Sequence, residues 1–175
     1  MKRSKVDLKN IIRDIPDFPK PGILFKDITT LLKDKKAFKV AINALTEKYK
    51  NKKIDKVVAI ESRGFIFGSV LAHKLNAGFV PVRKKGKLPA KTNSVTYELE
   101  YGTDTLEMHS DAIEKNERVL VVDDLLATGG TLKAVTELIK QQEGKIIGIA
   151  FLIELLFLKG KDKLKGYPVF SLIKY

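Results

Sequence analysis

The feature that most constrains this chain is an apolar, β-branched run, Val119 to Val122, that ends in two adjacent carboxylates, Asp123 and Asp124. A small-residue turn, Ala127-Thr128-Gly129-Gly130-Thr131, follows and leads into an amphipathic stretch. The order is strand, acidic pair, loop, helix. In open α/β sheets, ligands bind beyond the carboxyl ends of the strands. A glycine turn that opens a helix there presents main-chain N–H groups and a positive dipole end to an anion. One short segment therefore offers a phosphate seat beside two acidic hydrogen-bond acceptors, a pairing that suits a hydroxyl-rich sugar phosphate. A strand-to-helix turn capped by Asp needs only one carboxylate. Two buried neighbours of like charge are disfavoured without a ligand or cation.

The segment is not one of the commoner nucleotide loops. A P-loop requires a Lys after its second glycine, and none follows Gly130 at that place. The dinucleotide fingerprint spaces its glycines, whereas Gly129 and Gly130 are adjacent.

The rest of the chain extends the alternation. Leu8, Ile11, Ile12 and Ile15 fall at helical spacing, so a short amphipathic helix is expected before Pro16, Pro19, Pro21 and Gly22 stop it. Phe38, Ile42, Leu45 and Tyr49 mark a second helix. Strands are expected at 57–60, 78–82, 118–122, 145–154 and near 168–173, with helices at 65–75 and 131–142. Residues 84–94 read as a polar loop, and 95–100 with 105–109 as a β-hairpin around Gly102. Strand alternating with helix predicts an α/β protein with a central, mainly parallel twisted sheet flanked by helices. At 175 residues the chain is expected to be a single domain, 1–175.

Composition excludes several functions. There is no Cys, which removes disulfides and thiolate metal sites, and two His make a His-rich metal centre improbable. No long apolar run follows the basic start, and the longest, 146–158, is interrupted by Gly148 and Glu154 and is too short to span a bilayer. A cytoplasmic protein without a membrane partner is expected. The formal net charge of +12 comes mostly from dispersed Lys, while Arg, the usual reader of phosphates and bases, is scarce. The charge reads as a solvated surface, and no nucleic-acid partner is expected.

Three more segments carry candidate chemistry. Phe18 to Thr29 is a Pro/Gly-fixed lip in which Phe25 offers an aromatic face, although on physical grounds alone Phe25 reads as a core anchor. At Glu61-Ser62-Arg63-Gly64-Phe65 another strand ends in polar residues before a helix, so two strand-end loops can converge on one ligand. Taken alone, Glu61 and Arg63 could equally form a surface pair. Arg83, Lys84, Lys85 and Lys87 form a basic loop ahead of Glu98, Glu100 and Tyr101; in isolation such a run is a solvated loop and Glu100 a strand carboxylate.

These motifs, in this order, resemble the type I phosphoribosyltransferases, and the resemblance runs from about Asp17 to the C-terminus. The strand, acidic pair and Ala-Thr-Gly-Gly-Thr loop resemble the family's phosphoribosyl pyrophosphate (PRPP) motif. The lip at 18–25 and the Glu100-Tyr101-Gly102 hairpin resemble its adenine branch. The resemblance implies the family fold with a small N-terminal hood over about residues 1–35 and a flexible catalytic loop over about 84–96. It implies that Asp123 and Asp124 accept hydrogen bonds from the ribose hydroxyls, and that Ala127, Thr128, Gly129, Gly130 and Thr131 wrap the 5′-phosphate. Ser62 and Arg63 would contact pyrophosphate, while Arg83, Lys84 and Lys87 would reach a diphosphate in the neighbouring subunit of a homodimer. The backbone beside Leu24 and Lys26 would read the adenine edge, with Phe25 and Leu125 covering the ring. Glu100 would be the general acid or base, and Tyr101 would help close the site. Mg²⁺ is the implied cofactor, held through PRPP and water without a direct protein ligand. The implied reaction joins PRPP and adenine into AMP and pyrophosphate, a purine-salvage step. This chain departs from the family's usual pattern at Glu61, where Asp is common, and at Lys26, where Arg is frequent. Two alternatives stay open on sequence: transfer to another purine base, and a PRPP-sensing regulator without catalysis.

Overall fold

A computed structural model describes residues 6–98 and 102–175. Its elements run α1 (Leu8–Ile11), β1 (Arg13–Ile15), β2 (Phe25–Asp27), α2 (Thr29–Lys33), α3 (Lys35–Tyr49), β3 (Lys56–Ile60), α4 (Arg63–Leu75), β4 (Gly78–Lys84), β5 (Thr92–Glu98), β6 (Thr103–His109), β7 (Arg118–Leu126), α5 (Gly130–Gln141), β8 (Lys145–Glu154) and β9 (Val169–Lys174), with 3-10 turns at Leu156–Leu158 and Gly160–Leu164. The chain divides into two compact units, residues 1–44 and 45–175.

The second unit holds a seven-stranded sheet in the order β5-β6-β4-β3-β7-β8-β9. Strands β4, β3, β7, β8 and β9 are mutually parallel, and β6 joins β4 and β5 antiparallel, so the sheet is parallel with an antiparallel margin. From β3 the connection through α4 leads one way to β4, while β7 and its successors lie on the other side of β3. The strand order reverses between β3 and β7, the kind of position where doubly wound sheets bind ligands. Val119, Leu120, Val121 and Val122 are all fully buried. That follows from a run that is apolar on both faces, which only a parallel strand covered on both sides can use. Each such Val contributes about 1.5 kcal/mol or more by leaving water. The core around β7 takes in Val58 and Ile60 of β3, Leu106 and Met108 of β6, Leu138 of α5 and Phe151 of β8, with Val95 and Tyr97 packed against it.

The first unit contains a two-stranded antiparallel ribbon in which Ile15 pairs with Phe25 and Arg13 with Asp27. Its turn is pinned locally: the Gly22 N–H donates to Oδ1 of Asp17 at 2.7 Å, and the Phe18 N–H donates to the Ile23 carbonyl.

Three expectations are corrected. The opening helix stops at Ile11, and Ile15 belongs to β1, because ribbon pairing with β2 captures residues 13–15 before Pro16. Strand β7 does not end at Val122. It continues through the acidic pair to Leu126, because the ten-residue β8 supplies partners as far as Glu154. The polar loop expected over 84–94 is also shortened: Lys84 closes β4, and residues 92–94 already lie in β5, paired with β6.

Candidate active site

The register of two parallel strands builds the site. Ala59 lies opposite Val122, and β3 ends one residue later at Ile60. Asp123 is therefore level with the last residue of β3 and Asp124 lies beyond it, and past Val122 β7 is paired only on the β8 side. The space left beside them is the mouth of a cavity of about 510 Å³. Ser62, Arg63, Lys84, Asp123, Asp124, Leu125 and Thr131 all line it, so residues from every expected phosphate-binding segment meet there.

Helix α4 comes unusually close to the acidic pair. A Cβ on Gly64 would stand 2.8 Å from Oδ1 of Asp123 and 3.2 Å from the Val122 carbonyl oxygen. Only a residue without a side chain lets the start of α4 approach this far. Asp123 is set deep among protein atoms with part of its surface facing the cavity, and Asp124 is only 5% exposed. The Asp124 N–H donates to Oδ1 of Asp123 at 2.9 Å. Burial, and then the neighbouring Asp124 carboxylate, push the Asp123 carboxyl well above the usual range. Burial also pushes Asp124 up, against the opposing pull of Arg63. Arg63 Nε lies 2.8 Å from Oδ2 of Asp124. This contact is an ion pair of proximity rather than an aligned hydrogen bond, since that oxygen accepts no hydrogen bond among the described residues. The pair thus holds a proton higher up the pH scale than an ordinary Asp does, and one guanidinium only partly offsets its charge.

Glu61 has the opposite surroundings. Its two carboxylate oxygens accept from Arg83 Nε and Lys87 Nζ, each at 2.8 Å, and from the Lys84 N–H at 3.2 Å. Burial raises the Glu61 carboxyl, but the Lys87 and Arg83 donors outweigh it and hold the group below the usual range. Lys84 Nζ pairs with Asp104 at 2.9 Å, and this contact raises the lysine and lowers the aspartate. Three of the four cations of the basic segment, Arg83, Lys84 and Lys87, thus have acidic partners in their own chain. Lys84 faces the cavity, whereas Arg83 and Lys87 are not among its lining residues.

The small-residue loop has the form the sequence predicts. Gly129 takes a left-handed conformation (φ 78°) as the N-cap of α5, and Gly130 begins the helix. The dipole of this twelve-residue helix and its unpaired N–H groups point out of the loop. Thr131 lines the cavity and donates to the Tyr97 hydroxyl at 3.4 Å, a long hydrogen bond. Tyr97, Asp104, Ile60 and Leu106 are lining residues that the motifs did not single out. The only sequence signal for Tyr97 and Leu106 is the alternation of β5 and β6, which turns them toward the core.

In the first unit, Phe25 is half-buried and meets Phe18 edge-on with ring centroids 5.1 Å apart, so it is not the fully buried anchor that physical grounds alone suggested. Leu24 is half exposed, and Lys26 Nζ pairs with Asp14 at 2.6 Å. Glu100 and Tyr101 lie outside the described residues. Among the described residues no group of three or more His, Cys, Asp or Glu could hold a metal ion, and no helix is long and apolar enough to cross a membrane.

Comparison with known proteins identifies the family. The model of the phosphoribosyl transferase domain matches residues 28–172. Adenine phosphoribosyltransferase of Acidobacterium capsulatum is 61% identical over 96% of this chain and 93% of its own. The crystal structure of adenine phosphoribosyltransferase from Thermoanaerobacter pseudethanolicus superposes with a TM-score of 0.93 at 56% identity, covering 96% of this chain and 98% of that one. The Saccharomyces cerevisiae enzyme, solved with an imino-altritol bisphosphate and adenine, gives a TM-score of 0.89 at 45% identity, covering 94% and 96%.

Proposed function

The chain belongs to the adenine phosphoribosyltransferase family, and from that premise we propose how its cavity serves the transfer of the phosphoribosyl group of PRPP to adenine, giving AMP and pyrophosphate. The observation that carries the reading is the Asp123–Asp124 pair, partly buried at Asp123 and buried at Asp124, beside a phosphate-type helix start at the switch point of the sheet. Asp123 and Asp124 accept hydrogen bonds from the ribose 2′- and 3′-hydroxyls. The N–H groups of Ala127 to Thr131, with the Thr128 and Thr131 hydroxyls, hold the 5′-phosphate. Ser62 and Arg63 meet the diphosphate at the end of β3.

Mg²⁺ fits this site through its electrostatics rather than through a protein cage. Two adjacent buried carboxylates with raised proton affinity are short of positive charge, and a hard cation favours oxygen ligands such as those of PRPP and water. When bound, Mg²⁺ neutralises charge on the departing diphosphate. The chain's own residues do the rest. As the bond from C1 to the diphosphate oxygen breaks, positive charge grows on C1 and the ring oxygen, and the two aspartates place negative charge nearby. Adenine N9 bonds to C1, and its proton passes to Glu100 or water. Leu24, Phe25, Lys26 and Leu125 are assigned to adenine, and Tyr101 to closing the site against water, which would otherwise capture C1. In the same reading the enzyme is a cytoplasmic homodimer. Arg83, Lys84 and Lys87 exchange Glu61 and Asp104 for diphosphate oxygens of the neighbouring site.

The test is to supply PRPP and Mg²⁺ with adenine, hypoxanthine, guanine or xanthine in turn and to separate the nucleotides formed. AMP alone is the expected product. Turnover of another base in place of adenine would overturn the base assignment, and PRPP binding without any nucleotide product would favour a regulator.

A further inference from the structure

The Ala127–Thr131 loop rests against a part of the chain that the substrate assignments leave out. After β8 ends at Glu154, the two 3-10 turns bring Gly160, which is buried, against the loop. A Cβ on Gly160 would stand 2.1 Å from the Ala127 carbonyl oxygen and 2.9 Å from Cδ1 of Leu126. In the other direction, a Cβ on Gly129 would stand 2.4 Å from the Gly160 carbonyl oxygen. Contacts below 3.0 Å are essentially never made by real Cβ atoms, and two of these obstacles are main-chain oxygens rather than flexible side-chain ends. The loop and the turn therefore meet backbone to backbone, and each contributes the glycine that admits the other's carbonyl.

The turn is itself well anchored. The Leu155 N–H donates to the Leu126 carbonyl at 3.0 Å, the Leu156 N–H to the Tyr175 carbonyl at 2.9 Å, and the Tyr175 N–H to the Glu154 carbonyl at 3.0 Å. Lys161, next to Gly160, places Nζ 3.0 Å from Oε2 of the buried Glu154. Leu164, at the end of the second turn, is 1% exposed. A rigid support of this kind matters because the loop would bind phosphate mainly through main-chain N–H groups. Their strength depends steeply on distance and angle, and no side chain in the loop can restore a rotated peptide.

We propose that Gly160 is a positioning residue for the 5′-phosphate loop: its bare backbone fixes the Ala127 peptide and so aims the loop N–H groups. This rests on the reading that the loop holds the 5′-phosphate. A methyl group at position 160 displaces the Ala127 carbonyl and turns the donors away, while the diphosphate contacts at Ser62 and Arg63 stay as they were.

The experiment compares Gly160→Ala with the unaltered chain by calorimetric titration of ribose 5-phosphate and, separately, of inorganic pyrophosphate with Mg²⁺, alongside the KM for PRPP and for adenine. Expected are a roughly tenfold weaker ribose 5-phosphate affinity, about the worth of one hydrogen bond to a charged group, a matching rise in the PRPP KM, and pyrophosphate affinity and adenine KM within about twofold. Equal loss for ribose 5-phosphate and pyrophosphate would reduce Gly160 to a general structural role and overturn the proposal. Unchanged ribose 5-phosphate affinity would overturn it too. Should Gly160→Ala not fold, Glu154→Gln, which loosens the Lys161 anchor without adding a Cβ, is expected to show the same selective loss at smaller size, and no selectivity there counts against the proposal. If the unaltered chain binds pyrophosphate but no ribose 5-phosphate, the assignment of the loop fails first, an outcome distinct from failure of the Gly160 argument.

Discussion

Glu61 and the Asp123–Asp124 pair stand at the ends of neighbouring strands and face one cavity, yet their electrostatics are opposite. Glu61 is surrounded by donors from Arg83, Lys87 and the Lys84 backbone, and its carboxyl is held low. The aspartates are deeper, repel each other, share one guanidinium of proximity, and are pushed up. A saturated carboxylate stabilises its own chain and has little left for a ligand. An undersupplied pair costs stability and keeps its capacity for hydroxyl donors and a cation. The difference separates a residue that organises the basic segment from two that await substrate.

The largest test of this contrast is Asp123→Asn, which keeps an oxygen to accept the Asp124 N–H while removing one charge. Loss of a preorganised group of this kind is expected to lower kcat/KM by about a hundredfold. Because the folded pKa of the pair is raised, its favourable contribution is complete below the ordinary carboxylate range and is lost as pH rises through the folded value. Without ligand, the variant is therefore expected to unfold at a higher temperature than the unaltered chain at neutral pH, with the gap closing in acid. A variant less stable at neutral pH would break the contrast. Such a trade of stability for function is common at binding sites.

Glu61→Gln is the converse. It removes the charge that Arg83 and Lys87 share, so the expected result is a loss of about 1 kcal/mol of stability by denaturant unfolding. Glu61 has a lowered pKa, so its contribution is present above the ordinary carboxylate range and is lost as pH falls through the folded value. The penalty should fade in acid, as the gain from Asp123→Asn does, but its sign at neutral pH is the opposite. A smaller effect of the same sign is expected from Asp27→Asn in the N-terminal unit. Hydrogen bonds from Arg13 and Thr29 lower Asp27 from 3.8 to about 2. Its contribution is present above pH 3.8 and is lost as pH falls toward 2. Because Arg13 is mostly exposed, screening keeps the cost to about 1 kcal/mol or less.

Much of this was legible in the chain because local pattern and tertiary role agree. The Val119–Val122 run, the carboxylates and the Gly129-Gly130 turn each demand the same strand–loop–helix arrangement, and the sheet and the converging loops follow from it. Where pairing over long sequence distances decides, sequence was a poorer guide. Helical spacing could not reveal that Ile15 pairs with Phe25, nor that β8 would draw β7 on to Leu126. The partners of the basic segment were likewise hidden. Arg83 and Lys87 lie 22 and 26 residues from Glu61, and only the adjacency of β3 and β4 brings them together. Gly160 carries no motif; its constraint is a carbonyl more than thirty residues earlier in the chain.

The most direct test of the central claim, that the acidic pair is only partly offset by Arg63 until substrate arrives, is to follow the ¹³C carboxyl resonances of Asp123 and Asp124 against pH, first alone and then with PRPP and Mg²⁺. Without ligand, at least one is expected to titrate well above about 3.9, the ordinary Asp value, and PRPP with Mg²⁺ is expected to move the midpoint down. Ordinary titration in the free protein, or midpoints that ligand leaves in place, would contradict that claim.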